Sequence, residues 1–379
     1  MQRNAIYLLL LMVTGLTALG LVMLFSTSAF AQESHGDIYY FVKRQAFGLA
    51  LGLTAGIFMA FADYHWWRKY WWVFFIAAVI GLILCFVPHV GMRINGSRRW
   101  IKLGTVFQPS ELAKIASIFF LAWWYSREDI TFKGFRNGLL YPMGILGILM
   151  ALILAEVDMG NTALIGATAL AVMVAAGAAL RWLVTLVVCG LSGIAILGLN
   201  ISERQGRLLA FMEPEKYRLG EGLQQWQALI AFGSGGVDGV GLGEGRQKML
   251  YLPYAHTDFI FPMIGEELGL KFTLFTVAAY LVICICGSLV AINARDRFGT
   301  LLGFGAVIMI TIQAAVNIGV TTSLLPNKGM PLPFISFGGT NLLVCLTLIG
   351  LLVNIHRQGK PLSPKSTLTL LRPQMEPRT

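Results

Sequence analysis

The chain has 379 residues, 56% of them apolar and 13% charged, with 42 glycines, a formal net charge of +10 and a mean hydropathy of +0.70. Soluble domains carry roughly 25% charged residues, so a water-soluble globular protein is excluded, and disorder, collagen and coiled coil fall with it. What remains is a polytopic membrane protein.

A spanning helix needs about 20 apolar residues at ~1.5 Å each. Ten stretches qualify: residues 5–26, 45–62, 70–87, 110–125, 138–155, 160–180, 182–199, 266–293, 301–323 and 339–355. They are apolar all round, whereas lipid-facing barrel strands alternate. The expected fold class is therefore all-α integral membrane: a ten-transmembrane-helix bundle over residues 1–358, with a large extracytoplasmic loop at 200–258 between helices seven and eight and a basic cytoplasmic tail at 359–379. Ten crossings put both termini on one side. With that side inside, the cytoplasmic segments hold fourteen basic residues against five acidic ones, and the rest is close to balance. The basic surplus faces an anionic leaflet, so no nucleic acid partner is implied.

The first apolar run, Ala5 to Phe25, is followed by Ala29-Phe30-Ala31, which has the form of a signal-peptidase site. The run is longer than a usual signal core of about 7–15 residues, and it reads as an uncleaved first helix. Cys85, Cys189, Cys284, Cys286 and Cys345 all fall in apolar stretches with no histidine at metal-ligand spacing. They read as small buried hydrophobes, and no metal site is expected.

Outside the spans, the segment 88–109 carries Arg93, Arg98, Arg99 and Lys102 around Trp100. A basic loop there needs an anionic partner or a local structural role. It leads into Phe107-Gln108-Pro109-Ser110-Glu111-Leu112-Ala113-Lys114, where Pro109 suits the first helical position and Glu111 complements the helix dipole. Lys114, three residues on, shares that face inside the apolar zone, where an ionisable residue is functional by default.

The loop 200–258 contains a helical stretch, Glu221 to Phe232, with Leu223, Trp226 and Ile230 on one face, fit to lie in the interface or as a lid on the bundle. The glycine-rich run that follows has neither the spacing nor the βαβ setting of a nucleotide motif. It reads as a loop, flexible or tightly turned, with Arg246 and Lys248 near it as candidate anion contacts. In Leu252-Pro253-Tyr254-Ala255-His256-Thr257-Asp258-Phe259, Asp258 is the last polar position before an apolar run. It is either a general base with raised proton affinity or, with Thr257, a helix cap. Residues 259–293 as one helix would be roughly 52 Å long against a ~30 Å hydrocarbon core, so a break is expected near Gly265, at the level of Glu266 and Glu267, or the helix stands well proud of the membrane. Before the tenth span, Pro326, Pro331 and Pro333 forbid a continuous helix. Irregular backbone at that depth lines a cavity or is buried in protein, and the helix start beside Ser336, Gly338 and Gly339 would offer free N–H groups to a phosphate. The plainer alternative is a simple connector.

Five segments in order, Gly96 to Ile101, Phe107 to Glu111, Leu252-Pro253 with Ala255 to Phe261, Ile264 to Gly269, and Pro331 to Ser336 with Gly338-Gly339, resemble the SEDS family of peptidoglycan glycosyltransferases. Ile230 to Gly236 and Gly239 to Gly243 are more similar to its division branch than to its elongation branch. Departures stand at Tyr254, Val157, Phe337, Thr340 and Asn341.

The resemblance implies polymerisation of lipid II outside the cytoplasmic membrane, with Asp258 catalytic, Arg44 pairing near Glu111, and Lys114 close to the site. Arg98, Lys114, Lys328 and Arg246 are then candidates to hold the leaving pyrophosphate, with His256, Thr257 and Ser336 lining the substrate site. No tightly bound cofactor is implied, and a divalent cation, Mg or Mn, is the one candidate aid to the pyrophosphate. The implied partners are a class B penicillin-binding protein and other division-complex membrane proteins. A lipid II transporter and a noncatalytic scaffold are the competing classes. A transporter should show internal repeats with paired broken helices, and the sequence has no convincing repeat.

Overall fold

The computed structural model describes residues 2–28, 37–94, 97–103, 105–199, 206, 209–213, 215–249 and 251–359. The Ala29-Phe30-Ala31 site, Gly96 and residues 360–379 of the basic tail lie outside them. Helices occupy all ten apolar stretches: α1 (Gln2–Ser28), α2 (Tyr40–Phe61), α3 (His65–Leu84), α4 (Pro109–Tyr125), α5 (Tyr141–Ala155), α6 (Met159–Ala175), α7 (Leu180–Leu199), then, after the short α8 (Leu223–Gly235), α9 (Ile260–Ile292), α10 (Arg297–Thr321) and α11 (Gly339–Gln358). Seven of these, α5 counted with the π-helical turn Arg136–Leu140 before it, are long and apolar enough to cross a membrane, whereas α4 and α6 have 17 residues each. The π-turn holds Gly138 against the Phe132 carbonyl, where an added Cβ would lie 2.1 Å away.

The helix ends follow from local chemistry. Asp158 caps α6 by accepting from the Asn161 N–H at 3.2 Å, and Asp296 caps α10 through the Gly299 N–H at 3.2 Å. Pro109 opens α4 with Glu111 in its first turn, as expected. The break in α9 falls at Gly269 (φ 74°), four residues beyond the expected Gly265. Gly269 meets the glycine loop there: a Cβ on it would lie 2.4 Å from the Gly239 nitrogen. Only glycine accommodates both the left-handed backbone and that approach.

One further expectation is corrected. The fold is not purely helical, because the basic segment between α3 and α4 is a three-stranded antiparallel sheet, β1 (Gly91–Ile94), β2 (Ser97–Leu103) and β3 (Thr105–Phe107). Its register pairs Met92 with Trp100 and, after a bulge, Arg93 with Arg98. The buried face of α8 is Gln225, Ala228, Ala231 and Gly235, while Ile230 is exposed. Small residues win that face because close backbone approach is what the contact needs: a Cβ at Gly235 would sit 1.9 Å from the Gly265 carbonyl.

Near-contact of backbones also joins α2 to α11. Gly48, Gly52 and Gly56 recur every fourth residue on α2, and a Cβ at Gly56 would lie 2.8 Å from the Leu346 carbonyl, one at Gly350 2.1 Å from the Gly56 carbonyl. Small-residue spacing of this kind lets membrane helices pack at close range. The other face of α2 carries exposed Phe47, Leu51, Phe58 and Phe61. Of the cysteines, Cys85, Cys286 and Cys345 are buried as expected, and Cys189 is exposed.

Candidate active site

Glu266 and Glu267 are buried in the first half of α9 and are held by the glycine-rich loop that wraps them. The N–H groups of Arg246 and Gln247 reach Glu266 at 2.9 and 3.3 Å, and that of Gly243 reaches Glu267 at 3.0 Å. Lys248 pairs with Glu267 at 2.6 Å and donates to Ser26 of α1 at 2.8 Å, and Ser26 in turn donates to Glu267. Lys248 is thus engaged by an internal carboxylate instead of an external anion. Of the two candidate anion contacts only Arg246 keeps an exposed side chain, and its backbone serves the same clamp. The glycine loop is a tight turn that fixes the chain leading into Asp258.

Asp258 lies two residues before α9. The N-cap position is Phe259, without a side-chain cap, so Asp258 is not a capping residue. Its loop turns on Tyr254 (φ 60°), whose carbonyl accepts from the N–H groups of Thr257 and Phe259 and from the Thr257 hydroxyl. Asn317 of α10 donates to the carbonyls of Asp258 (2.7 Å) and Met330 (2.6 Å), stitching the loop to the proline-rich segment. Gly329 therefore lies against the carboxylate, where a Cβ would stand 2.6 Å from Asp258 Oδ2. On the same side a Cβ at Gly160 would lie 3.3 Å from Lys328 Cε, which brings the start of α6 and its cap Asp158 to the recess. Asp158 is held by Asn161 (2.9 Å) and Gln108 (3.4 Å). Arg99 of β2 grips the corner before it, donating to the Val157 carbonyl at 2.8 Å and the Glu156 carbonyl at 3.4 Å.

Burial pushes the Asp258 carboxyl up to about 6, with the Arg99 charge pulling it down and the Asp158 charge pushing it further up. The group is still mostly ionised at neutral pH, and is a stronger base than an ordinary aspartate. His256 is stacked on Phe41 with ring centroids 4.1 Å apart, and burial pushes it down to about 4, so it is neutral and packs the recess wall. Val157, Tyr254 and Phe334 all have positive φ. Such conformations cost on the order of 1–3 kcal/mol each and gather at functional sites.

The proline-rich segment is irregular, as its prolines require, and its polar groups are used internally. Ser336 Oγ donates to the Thr257 carbonyl (2.6 Å) and accepts from the Leu332 N–H (2.7 Å), and the Gly338 N–H donates to Gln45 (3.1 Å). Ser336 and the Gly338 N–H at this helix start are therefore taken by protein groups. Gln45 also donates to the Ser336 carbonyl at 3.0 Å, and Tyr280 to the Pro333 carbonyl at 2.5 Å. Behind the segment, Lys114 pairs with Glu111 at 2.6 Å and donates to Gln313 at 3.0 Å. Gln313 passes the connection to the Pro331 carbonyl (2.8 Å) and Asn341 (2.9 Å).

Of the residues singled out in the sequence, the recess brings together Asp258, Lys328, His256, Thr257 and Ser336. Glu111 and Lys114 buttress it from behind. Arg44 does not pair with Glu111: it is exposed and stacks on Tyr40 at 4.4 Å, while its neighbour Gln45 points inward. Arg98 lines a separate cavity with Arg93 and Glu156. The sequence marks Arg99 only as one of a basic loop, and it does not single out Asp158, Gly329, Asn317 or Gln313 as site residues. The alternation of a β-strand would have separated Arg98 from Arg99, had the segment been read as one.

The family model described as "Cell cycle protein", that of FtsW, RodA and SpoVE, matches residues 6–361. The chain belongs to this family. FtsW/RodA/SpoVE relatives include a probable peptidoglycan glycosyltransferase FtsW of Geobacter metallireducens, 41% identical over 93% of this chain and 94% of that one. Stage V sporulation protein E of Bacillus subtilis is 36% identical over 93% and 97%. The fold matches the rod shape determining protein RodA of Thermus thermophilus, with TM-score 0.69 and 25% identity over 93% and 97% of the two chains. It also matches a chain described in work on structural coordination of polymerization and crosslinking by a peptidoglycan synthase complex, with TM-score 0.75 and 25% identity over 92% and 96%. Seven apolar helices and this membership make the FtsW/RodA-like chain a multi-pass membrane protein.

Proposed function

We propose that this chain is a peptidoglycan glycosyltransferase that polymerises lipid II, acting in septal wall synthesis. The observation that carries the reading is the Asp258 carboxylate, desolvated, pressed beneath Gly329 and flanked by the Arg99 charge. The names carried by relatives at 36–41% identity support the activity, and FtsW among them supports the division role.

In the reaction the 4-hydroxyl of an acceptor sugar gives its proton to Asp258 as its oxygen bonds to the anomeric carbon of the donor. The bond from that carbon to the pyrophosphate oxygen breaks, the electron pair leaves with undecaprenyl pyrophosphate, and the anomeric centre inverts. A base near neutral pH favours the first event; positive charge from Arg99 and Lys328 favours the second. The leaving group departs without a proton, so one carboxylate suffices. Magnesium is ordinarily held by one or two carboxylates and substrate phosphates. Asp258 supplies one such carboxylate, while Asp158 is taken by Asn161 and Gln108, and among the described residues no group of three ligands forms a cage. A Mg or Mn ion held there would neutralise charge on the pyrophosphate.

The helices in all ten stretches support ten crossings, and the basic surplus of the connecting segments supports cytoplasmic termini with the recess outward in the cytoplasmic membrane. A class B penicillin-binding protein is the proposed partner, in keeping with the synthase complex to which the fold is similar; other division-complex membrane proteins are proposed alongside it. The test is a glycan-ladder gel with purified protein, partner and lipid II beside an equally folded Asp258→Asn variant. A ladder from the wild type alone is the expected result. Equal ladders would refute the base, and no ladder under any partner or cation condition would refute the polymerase and favour a transporter.

A further inference from the structure

Arg93 and Arg98 stand directly opposite each other across β1 and β2, beside the bulge between Met92 and Arg93. Like charges directly opposite on one face of a strand pair are destabilising, with Cβ atoms ~5 Å apart. Neither guanidinium has a hydrogen-bond or ion-pair partner among the described residues. Both line one cavity with Ser97, Phe86, Val157 and Glu156, of about 290 Å³. Glu156 is 1% exposed, and among the described residues its carboxyl meets no donor better than the weak thiol of Cys85. A buried carboxyl with only a weak thiol donor beside it is costly, and so is a facing pair of arginines; one ligand would relieve both.

The strained corner explains why the carboxyl is aimed there. Val157 is β-branched at φ 65°, a rare conformation for such a residue. Arg99 fixes it by donating to the Glu156 and Val157 carbonyls, which flank the Val157 Cα. The corner turns Glu156 toward the cavity and Asp158 toward Asp258's recess, so the two pockets share one wall.

We propose that this cavity is an oxyanion subsite for the lipid-linked substrate, in which Arg93 and Arg98 take a carboxylate or phosphate group and Glu156 donates a hydrogen bond to it. Burial pushes Glu156 up to about 8, against the pull of Cys85 and Arg99 and with a push from Asp158, which supplies the donor proton at neutral pH. Two arginines match the geometry of either oxyanion. Two groups of the substrate carry that chemistry: the carboxylates of the peptide stem and the pyrophosphate. The inference rests on the polymerase reading.

The experiment measures KM and kcat of the partner-bound protein on lipid II with free stem carboxylates and on lipid II whose stem carboxylates are amidated, together with inhibition by undecaprenyl pyrophosphate. Arg93→Gln, Arg98→Gln and Glu156→Ala are compared with wild type, each checked for an unchanged unfolding temperature. Each arginine variant is expected to raise KM five- to tenfold on free-carboxylate lipid II with kcat within twofold. If the amidated substrate erases the difference from wild type, the stem carboxylate is the ligand. If both substrates show the rise and inhibition by undecaprenyl pyrophosphate weakens in parallel, the pyrophosphate is. An unchanged KM in folded variants overturns the subsite, as does a fall in kcat alone or a rise on both substrates with inhibition intact. Absence of polymer from the wild type refutes instead the polymerase reading. Glu156→Gln, which keeps a donor, is expected to recover most of the affinity lost in Glu156→Ala; equal loss in both refutes the role of Glu156.

Discussion

Lys114→Met isolates the buttress behind the proline-rich segment. Lys114 is 1% exposed and Glu111 2%, with Nζ 2.6 Å from Oε1, and the other Glu111 oxygen has no partner among the described residues. Removing one member of such a pair leaves a buried carboxylate uncompensated, at a cost of about 3–5 kcal/mol. That is roughly two to nearly four decades in the folding equilibrium. Replacing both members with apolar residues of similar size removes the stranded charge. Glu111→Leu with Lys114→Met should therefore regain most of the loss, short of about 1–3 kcal/mol for the Gln313 oxygen deprived of its donor. An unfolding titration in mixed micelles measures all four members of the cycle. The reasoning is refuted if Lys114→Met lies within about 1 kcal/mol of wild type, or if the double variant is as unstable as the sum of the singles. Polymer assays on the restored double variant then separate support from chemistry: activity near wild type assigns the pair to holding Pro331 and Asn341 through Gln313.

Four other outcomes are expected. The rate on lipid II should climb about tenfold per pH unit up to an inflection near 6, where the Asp258 proton is lost, and level off above it; a profile flat from pH 5 to 8 would remove Asp258 as the base. Because burial raises this carboxyl, its ionised form costs the fold stability as pH rises through that region, so Asp258→Asn should unfold at a higher temperature than wild type at pH 8 while making no polymer. Gly329→Ala places a methyl group 2.6 Å from Asp258 Oδ2 and should cut kcat at least tenfold in a protein with wild-type thermal stability; Gly269→Ala meets positive φ and the Gly239 backbone at 2.4 Å, and should lower the unfolding temperature by several degrees.

Asp258, the Glu111–Lys114 pair and the proline-rich entry were legible because polar or helix-breaking residues are conspicuous against apolar runs. What escaped was set by neighbours one residue away or distant in sequence. Arg99 and Gln45 act where Arg98 and Arg44 were expected, since a strand or helix face is decided by what packs against it. Hydropathy marks Leu223, Trp226 and Ile230 as the apolar face of α8, fit for the interface or the bundle; the helix docks through Ala228, Ala231 and Gly235, where backbone proximity outweighs side-chain area. Lys248 looked like an anion contact because its partner, Glu267, and Ser26 are far along the chain.

The glycine seam between α2 and α11 has a mechanical consequence. With backbones in contact, few side chains lie between the two helices to cushion a relative movement, so, as in a lever, a shift of one is felt directly by the backbone of the other. Gln45, at one end of that lever, grips Ser336 and Gly338, and Ser336 in turn touches Thr257, the residue before Asp258. The exposed aromatic face of α2 is thus joined by an unbroken run of contacts to the residue adjoining the base.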